Sequence, residues 1–517
     1  MTRPPDQASV AASAASLAGS RLAVALFALV FLAISARLLT VPEMAAFALY
    51  SIFTGLISVV GSLGLLAGAV RSLPGLAASG RAGEASGLVR LAILAQTALG
   101  VAWTAVLVLG AAPIGALILD APDRARDVRL AALAALCFGL QEAAQLLLNG
   151  LQRYPRLARN YVVTSVAQRV LSLLLFYLLG FPGYIAGFAM GSLIGVAYAA
   201  PAILPVARIR PDRPEGWYRA QIRWCMPFYA DGYLRYLYMQ ADQLIVGLAL
   251  TPTALAVWFI AKRCLQYCQL FVQSLLDPIG TRAAALRETR PAAIGALFAR
   301  SRHLFLCLFI PGAIFLAATS PFLLAVVGGE RYAAAAAPLA LLFLTLIPFA
   351  LFSHLALFVF ALGRPRDRLA TNVTATIGQL LPMSALIAWL GLPGLALARG
   401  IGFIAGSAHA GRVLHGSGAV TGTIPHPSQP SRHRELAICA GASIAGGMLA
   451  ALPWMLGLEA VWIPAAAIPS GALVGAVTLR YALDDEDRRA LAGLVRGDGG
   501  AARLVRRAIQ GVTTPGR

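Results

Sequence analysis

Seven ionisable residues lie inside stretches that are otherwise apolar: Glu142, Arg169, Asp231, Arg235, Asp242, Lys262 and Arg263. A charge at the centre of a bilayer costs roughly 3 kcal/mol or more, so such groups face a water-filled cavity or a partner. Asp231 and Arg235 are spaced i, i+4 on one helical face, and Lys262 is the only lysine in the chain. Two kinds of chemistry suit these types. The bases Arg169, Arg235, Lys262 and Arg263 can meet an anionic substrate, since a guanidinium matches phosphate geometry. The carboxylates Glu142, Asp231 and Asp242 can carry a proton or sodium. The competing reading is structural, in which the charges are ion pairs locking adjacent helices. Glu142 and Arg169 sit at matching depth on either side of a turn near residue 155, and Asp242 and Lys262 do so around 251–252. Helices that carry three basic and two acidic groups in two spans exceed what simple locking needs. Arg399, near an external helix end, is expected to snorkel to the interface.

The elements that must hold these groups are membrane helices. Hydrophobic residues make up 59% of the 517 and charged residues 12%. A soluble domain carries roughly 25% charge, and apolar runs of about 20 residues are the mark of helices crossing lipid. About fourteen spans are predicted. In the first half they are 20–39, 46–70, 88–112, 129–150, 160–180 and 183–206. They continue as 224–250, 254–277, 303–327, 335–362, 370–390, 393–413, 437–456 and 460–480. The sequence thus predicts an all-α membrane protein, with two six-helix lobes around a central cavity and two extra C-terminal helices.

Orientation follows from arginine. With both termini cytoplasmic, the external segments hold only Arg37, Arg124, Arg126, Arg129 and Arg331 of the 42 basic residues. Retention of Lys and Arg on the cytoplasmic side explains that split. The net charge of +20 is therefore topology rather than a footprint for nucleic acid. The chain is expected in a bacterial inner membrane, in contact with its lipids. The N-lobe is placed at 1–206, a Pro-containing basic linker at 207–223 and the C-lobe at 224–413. A Gly/Ser/Pro/His-rich loop at 414–436, helices 13 and 14 at 437–482 and a basic amphipathic tail at 483–517 complete the layout. VPEMAAFALY (41–50) and TPTALAVWFI (251–260) form a faint internal repeat, each placing a proline in the first turn of a helix. Gly187, Gly191 and Gly195 make a small-xxx-small face suited to close helix approach.

Several chemistries find no support. No Walker motif or HExxH occurs, and no external loop is long enough to house a catalytic domain, so no catalytic residues are assigned. The six cysteines lack C-x-x-C spacing, and no metal or other cofactor is indicated.

Three stretches carry a family resemblance. The opening SLAGSRLAVALFALVFLAISARLLTVPEMAAFALY, the segment LQRYPRLARNYVVTSVAQRV (151–170) and YLYMQADQLIVGLALTP around Asp242 resemble the polysaccharide (O-antigen and exopolysaccharide) flippases. That family shares a superfamily with multidrug and toxin extrusion transporters and lipid II flippases. A glycine usual in its turn motif is Ala46 here and Ala256 in the repeat. The resemblance implies alternating access between two lobes and export of an undecaprenyl-pyrophosphate-linked glycan. A multidrug or metabolite antiporter of the same fold is the alternative, and a membrane glycosyltransferase or polysaccharide polymerase is disfavoured by the short external loops.

Overall fold

A computed structural model describes residues 27–209, 216–416 and 441–450, with Val24, Leu452 and the short stretches 469–471 and 473–477. The described residues are helical with no strands. They form α1 (Phe27–Leu38), α2 (Val41–Val60), α3 (Leu65–Ala78), α4 (Ala82–Leu109), α5 (Ala111–Leu119), α6 (Ala125–Gly150), α7 (Tyr154–Leu179) and α8 (Phe181–Arg208). Then come α9 (Trp217–Ala249), α10 (Pro252–Thr289), α11 (Ile294–Ala318), α12 (Ser320–Gly328), α13 (Ala336–Leu344), α14 (Leu346–Ala361), α15 (Pro365–Leu390), α16 (Leu392–Gly416) and α17 (Gly441–Ala450). Eight stretches among them are long and apolar enough to cross a membrane. Side chains such as Leu109 and Trp389 stand more than four-fifths exposed, as lipid-facing groups do. This is a multi-pass membrane protein. Much of the expected helix 14, most of the 414–436 loop and the tail fall outside the described residues.

Four predicted spans are each broken in two. The run 46–70 becomes α2 and α3, with Leu63 and Gly64 at positive φ between them. Gly64 is required there twice over: its φ is +72°, and a Cβ would stand 2.6 Å from the Cys225 carbonyl oxygen. Hydropathy sums over a window and does not register such a break. The runs 88–112, 303–327 and 335–362 are divided more gently, at Gly110, Thr319 and Thr345, where φ stays negative.

The chain divides into two compact units, Met1–Phe259 and Ile260–Arg517. In the first, α2 begins with a capping box in which Thr40 and Glu43 bond each other's backbone N–H, and Pro42 sits in its first turn as predicted. Aromatic rings fill the end near α1, where Phe31, Phe47, Tyr184 and Phe188 pack with centroids 5.1–6.0 Å apart. The expected glycine face is present: Gly187, Gly191 and Gly195 of α8 lie against Ser172, Gln168 and Thr164 of α7, with no room for a Cβ. In the second unit α15 and α16 pack in the same manner. Gly180, Gly183, Gly191 and Gly195 recur at one constant interval as Gly391, Gly394, Gly402 and Gly406, and Gln168 recurs as Gln379. Gly402 approaches the Ala375 carbonyl and Gln379, as Gly191 approaches Gln168. The repeat glimpsed at 41–50 and 251–260 thus has a second, stronger expression in these hairpins.

Candidate functional site

Helix α9 carries three of the predicted groups, and its packing fixes where they point. Across it lie α2 and α3. Gln243 Nε2 donates to the Ala48 carbonyl at 2.8 Å, and Tyr236 Oη donates to the Ile52 carbonyl at 3.3 Å. Gly68 lies close to Cys225 Sγ. The residues facing α2 and α3 are therefore Cys225, Gly232, Tyr236 and Gln243. Each has a neighbour one position earlier: Trp224, Asp231, Arg235 and Asp242. One residue is about 100° of helix, so the charged residues occupy a separate stripe beside the packed face. Asp242 is buried and its Oδ1 accepts from the Gln243 backbone N–H at 2.7 Å. Asp231 is half-buried and Arg235 exposed.

At 33 residues, α9 is about 50 Å long, well beyond the ~30 Å of a bilayer core. It nevertheless falls outside the eight apolar stretches, as does the 38-residue α10. Both are long enough to span and carry charged and amide side chains along their length. On α10, Lys262 is 1% exposed, and Arg263 is half-buried with Nη1 donating to Gln266 Oε1 at 3.1 Å.

The proposed lock between Glu142 and Arg169 is not what the structure shows. Arg169 Nη1 donates to the Ser165 carbonyl at 2.8 Å and also contacts Ser165 Oγ. Its guanidinium lies over the rings of Phe27 and Phe31, 5.5 and 5.6 Å from their centroids. Glu142 on α6 is half-buried and makes no hydrogen bond or ion pair with a described residue. Matching depth on consecutive helices did not bring the two side chains together. Arg399 also departs from expectation. It is 0% exposed, with its guanidinium 5.5 Å from the Phe403 ring. Seven residues into α16 place it about 10 Å along the helix, where its side chain is buried in the protein rather than exposed.

Two polar groups were not singled out from sequence. In the first unit Gln168 Nε2 donates to Gln141 Oε1 and Ser192 Oγ, both at 2.9 Å, and Gln145 donates to Asn160 at 2.9 Å. At the corresponding positions of the second unit Gln141 and Ser192 are replaced by Phe352 and Phe403, whose rings lie 5.6 Å apart. There the second unit also buries His354, whose Nε2 meets Ser301 Oγ at 2.7 Å. Neutral amides and single histidines give little signal in a hydropathy profile. The internal repeat would have flagged Gln168 and Gln379.

Among the described residues no cluster of three metal-ligating side chains occurs. What the fold defines is a polytopic membrane protein, and solved structures share its fold. The structure resembles that of lipid II flippase MurJ in an inward closed conformation, with TM-score 0.69, 11% identity and coverage of 89% of this chain and 97% of that one. An inward-facing multidrug resistance MATE family transporter of the MOP superfamily gives TM-score 0.63 at 16% identity, over 78% of this chain and 98% of that one. The Vibrio cholerae MATE transporter VcmN in its bent form gives TM-score 0.52 at 17% identity, over 80% of this chain and 99% of that one. No curated protein matches the sequence. The family of polysaccharide biosynthesis proteins matches residues 34–337, and the chain belongs to that family.

Proposed function

We propose that this protein carries a lipid-linked oligosaccharide precursor across the bacterial inner membrane by alternating access, with both termini cytoplasmic. The observation that carries this reading is the charged stripe of α9, exposed at Arg235, in a chain of the polysaccharide biosynthesis family. Arg235, Lys262, Arg263 and Arg169 are the groups assigned to an undecaprenyl-linked pyrophosphate or to acidic sugars, because arginine binds such anions bidentately. Glu142, Asp231 and Asp242 are assigned to a coupling proton or sodium. Of these Glu142 is the strongest candidate, since a transmembrane carboxylate with no protein partner among the described residues has no structural duty that would hold it there.

Proteoliposomes containing the purified protein test the reading. Export of an undecaprenyl-pyrophosphate-linked oligosaccharide from one leaflet to the other, with no uptake of a cationic dye, is the expected result. A second reading has a specific support in the MATE-like fold: dye transport with no movement of the lipid-linked glycan would establish an antiporter instead.

A further inference from the structure

The stripe on α9 is not made of charges alone. Trp224, Phe228, Asp231, Arg235 and Asp242 follow at intervals of four, three, four and seven residues, which is one continuous helical face. Trp224 is 43% exposed, and its ring stands edge-on to Phe228 with centroids 5.1 Å apart. The Arg71 guanidinium of α3 lies over the same Phe228 ring, 5.7 Å from its centroid. The face therefore opens near the start of α9 with two aromatic rings and a cation, continues through Asp231 and the exposed Arg235, and closes at buried Asp242.

An exposed tryptophan on a membrane protein ordinarily belongs to the lipid-facing aromatic belt. That assignment fails here. Arg235 lies three turns along the same face and is exposed, and lipid does not accept an exposed guanidinium at that depth. Trp224 stands on the same helical face as the exposed Arg235. Large aromatic surface presented to water marks a binding site. The chemistry that uses an aromatic ring beside cations and carboxylates is that of a sugar. A pyranose offers an apolar face of C–H groups to the ring, its hydroxyls to the carboxylates, and any attached phosphate to arginine.

We propose that Trp224, with Phe228 behind it, is the sugar-stacking platform of the transporter, holding the first sugar of the glycan while Arg71 and Arg235 meet its anionic groups. The proposal rests on the transport reading above and adds to it the residues that recognise carbohydrate rather than lipid. It is tested with the full-length protein in nanodiscs and two probes. One is a short-chain polyprenyl pyrophosphate carrying a single N-acetylhexosamine; the other is the same pyrophosphate without sugar. The wild type should bind the sugar-bearing probe more tightly. Trp224→Leu should weaken that binding about tenfold, the effect of an aromatic contact worth about 1.4 kcal/mol, and leave the sugar-free probe unchanged. Trp224→Phe, which keeps a stacking ring and the packing near Gly68, should retain most of the preference. Equal affinity of the wild type for the two probes, or equal weakening of both by Trp224→Leu with Trp224→Phe no better, would overturn the platform. A wild type that binds neither probe would instead remove the transport reading itself.

Discussion

Replacing Gly191 by alanine should destabilise the first unit far more than a single methyl group suggests. A Cβ there would lie 2.8 Å from Gln168 Cγ and closer still to the Gln168 backbone nitrogen. Ordinary van der Waals contact lies about 1 Å farther out, so α7 and α8 must part by about that much. Overpacking of this kind costs about 1–3 kcal/mol. The separation also stretches the 2.9 Å bonds from Gln168 to Ser192 and Gln141, each worth about 1 kcal/mol. We expect a loss of about 3 kcal/mol, read as a fall of several degrees in the melting temperature of the detergent-solubilised protein. Gly312→Ala is the control. Nothing lies within 4 Å of a Cβ at that site, and alanine's better helix propensity should leave stability unchanged or raise it by up to about 1 kcal/mol. Equal melting temperatures for the two variants would refute the close approach of α7 and α8.

Three further outcomes are expected. Glu142→Gln should leave protein abundance at the wild-type level, and combining it with Arg169→Gln should add the two single effects, because the pair does not interact; rescue in the double variant would restore the ion pair. Ser301→Ala should lower stability by about 1–3 kcal/mol by leaving His354 Nε2 buried without its partner, whereas an unchanged melting curve would show that another group takes the place of Ser301. An impermeant thiol reagent applied to intact cells should label Asp123→Cys and spare Ser431→Cys, and labelling at 431 would invert the topology.

Much of this molecule was legible in its residues. Apolar runs marked the membrane helices, and the spacing of Gly187, Gly191 and Gly195 marked a close helix crossing that the structure contains. The i, i+4 relation of Asp231 and Arg235 placed them on one face of α9. Side-chain direction was not legible. Glu142 and Arg169 share a depth, yet the guanidinium turns to Ser165 and two phenyl rings, because which way a helix is rotated depends on every contact along it. Arg399 was read from its nearness to a helix end, whereas burial against Phe403 decides its position. The break between α2 and α3 was hidden for a similar reason: Gly64 adopts its left-handed backbone to let Cys225 approach, and the residue that explains it lies more than 150 positions away.

The central claim is that the basic groups of α9 and α10 receive an anionic lipid-linked glycan. Arg235→Gln and Arg263→Gln, compared with wild type at equal protein level in cells, test it most directly through the distribution of that glycan between the two leaflets. The account predicts near-normal abundance with export stopped and the lipid-linked precursor accumulating on the cytoplasmic side; Arg263→Lys should also be costly, since an ammonium cannot reproduce the guanidinium fork. Normal export by both glutamine variants would contradict it and take these helices out of the substrate path.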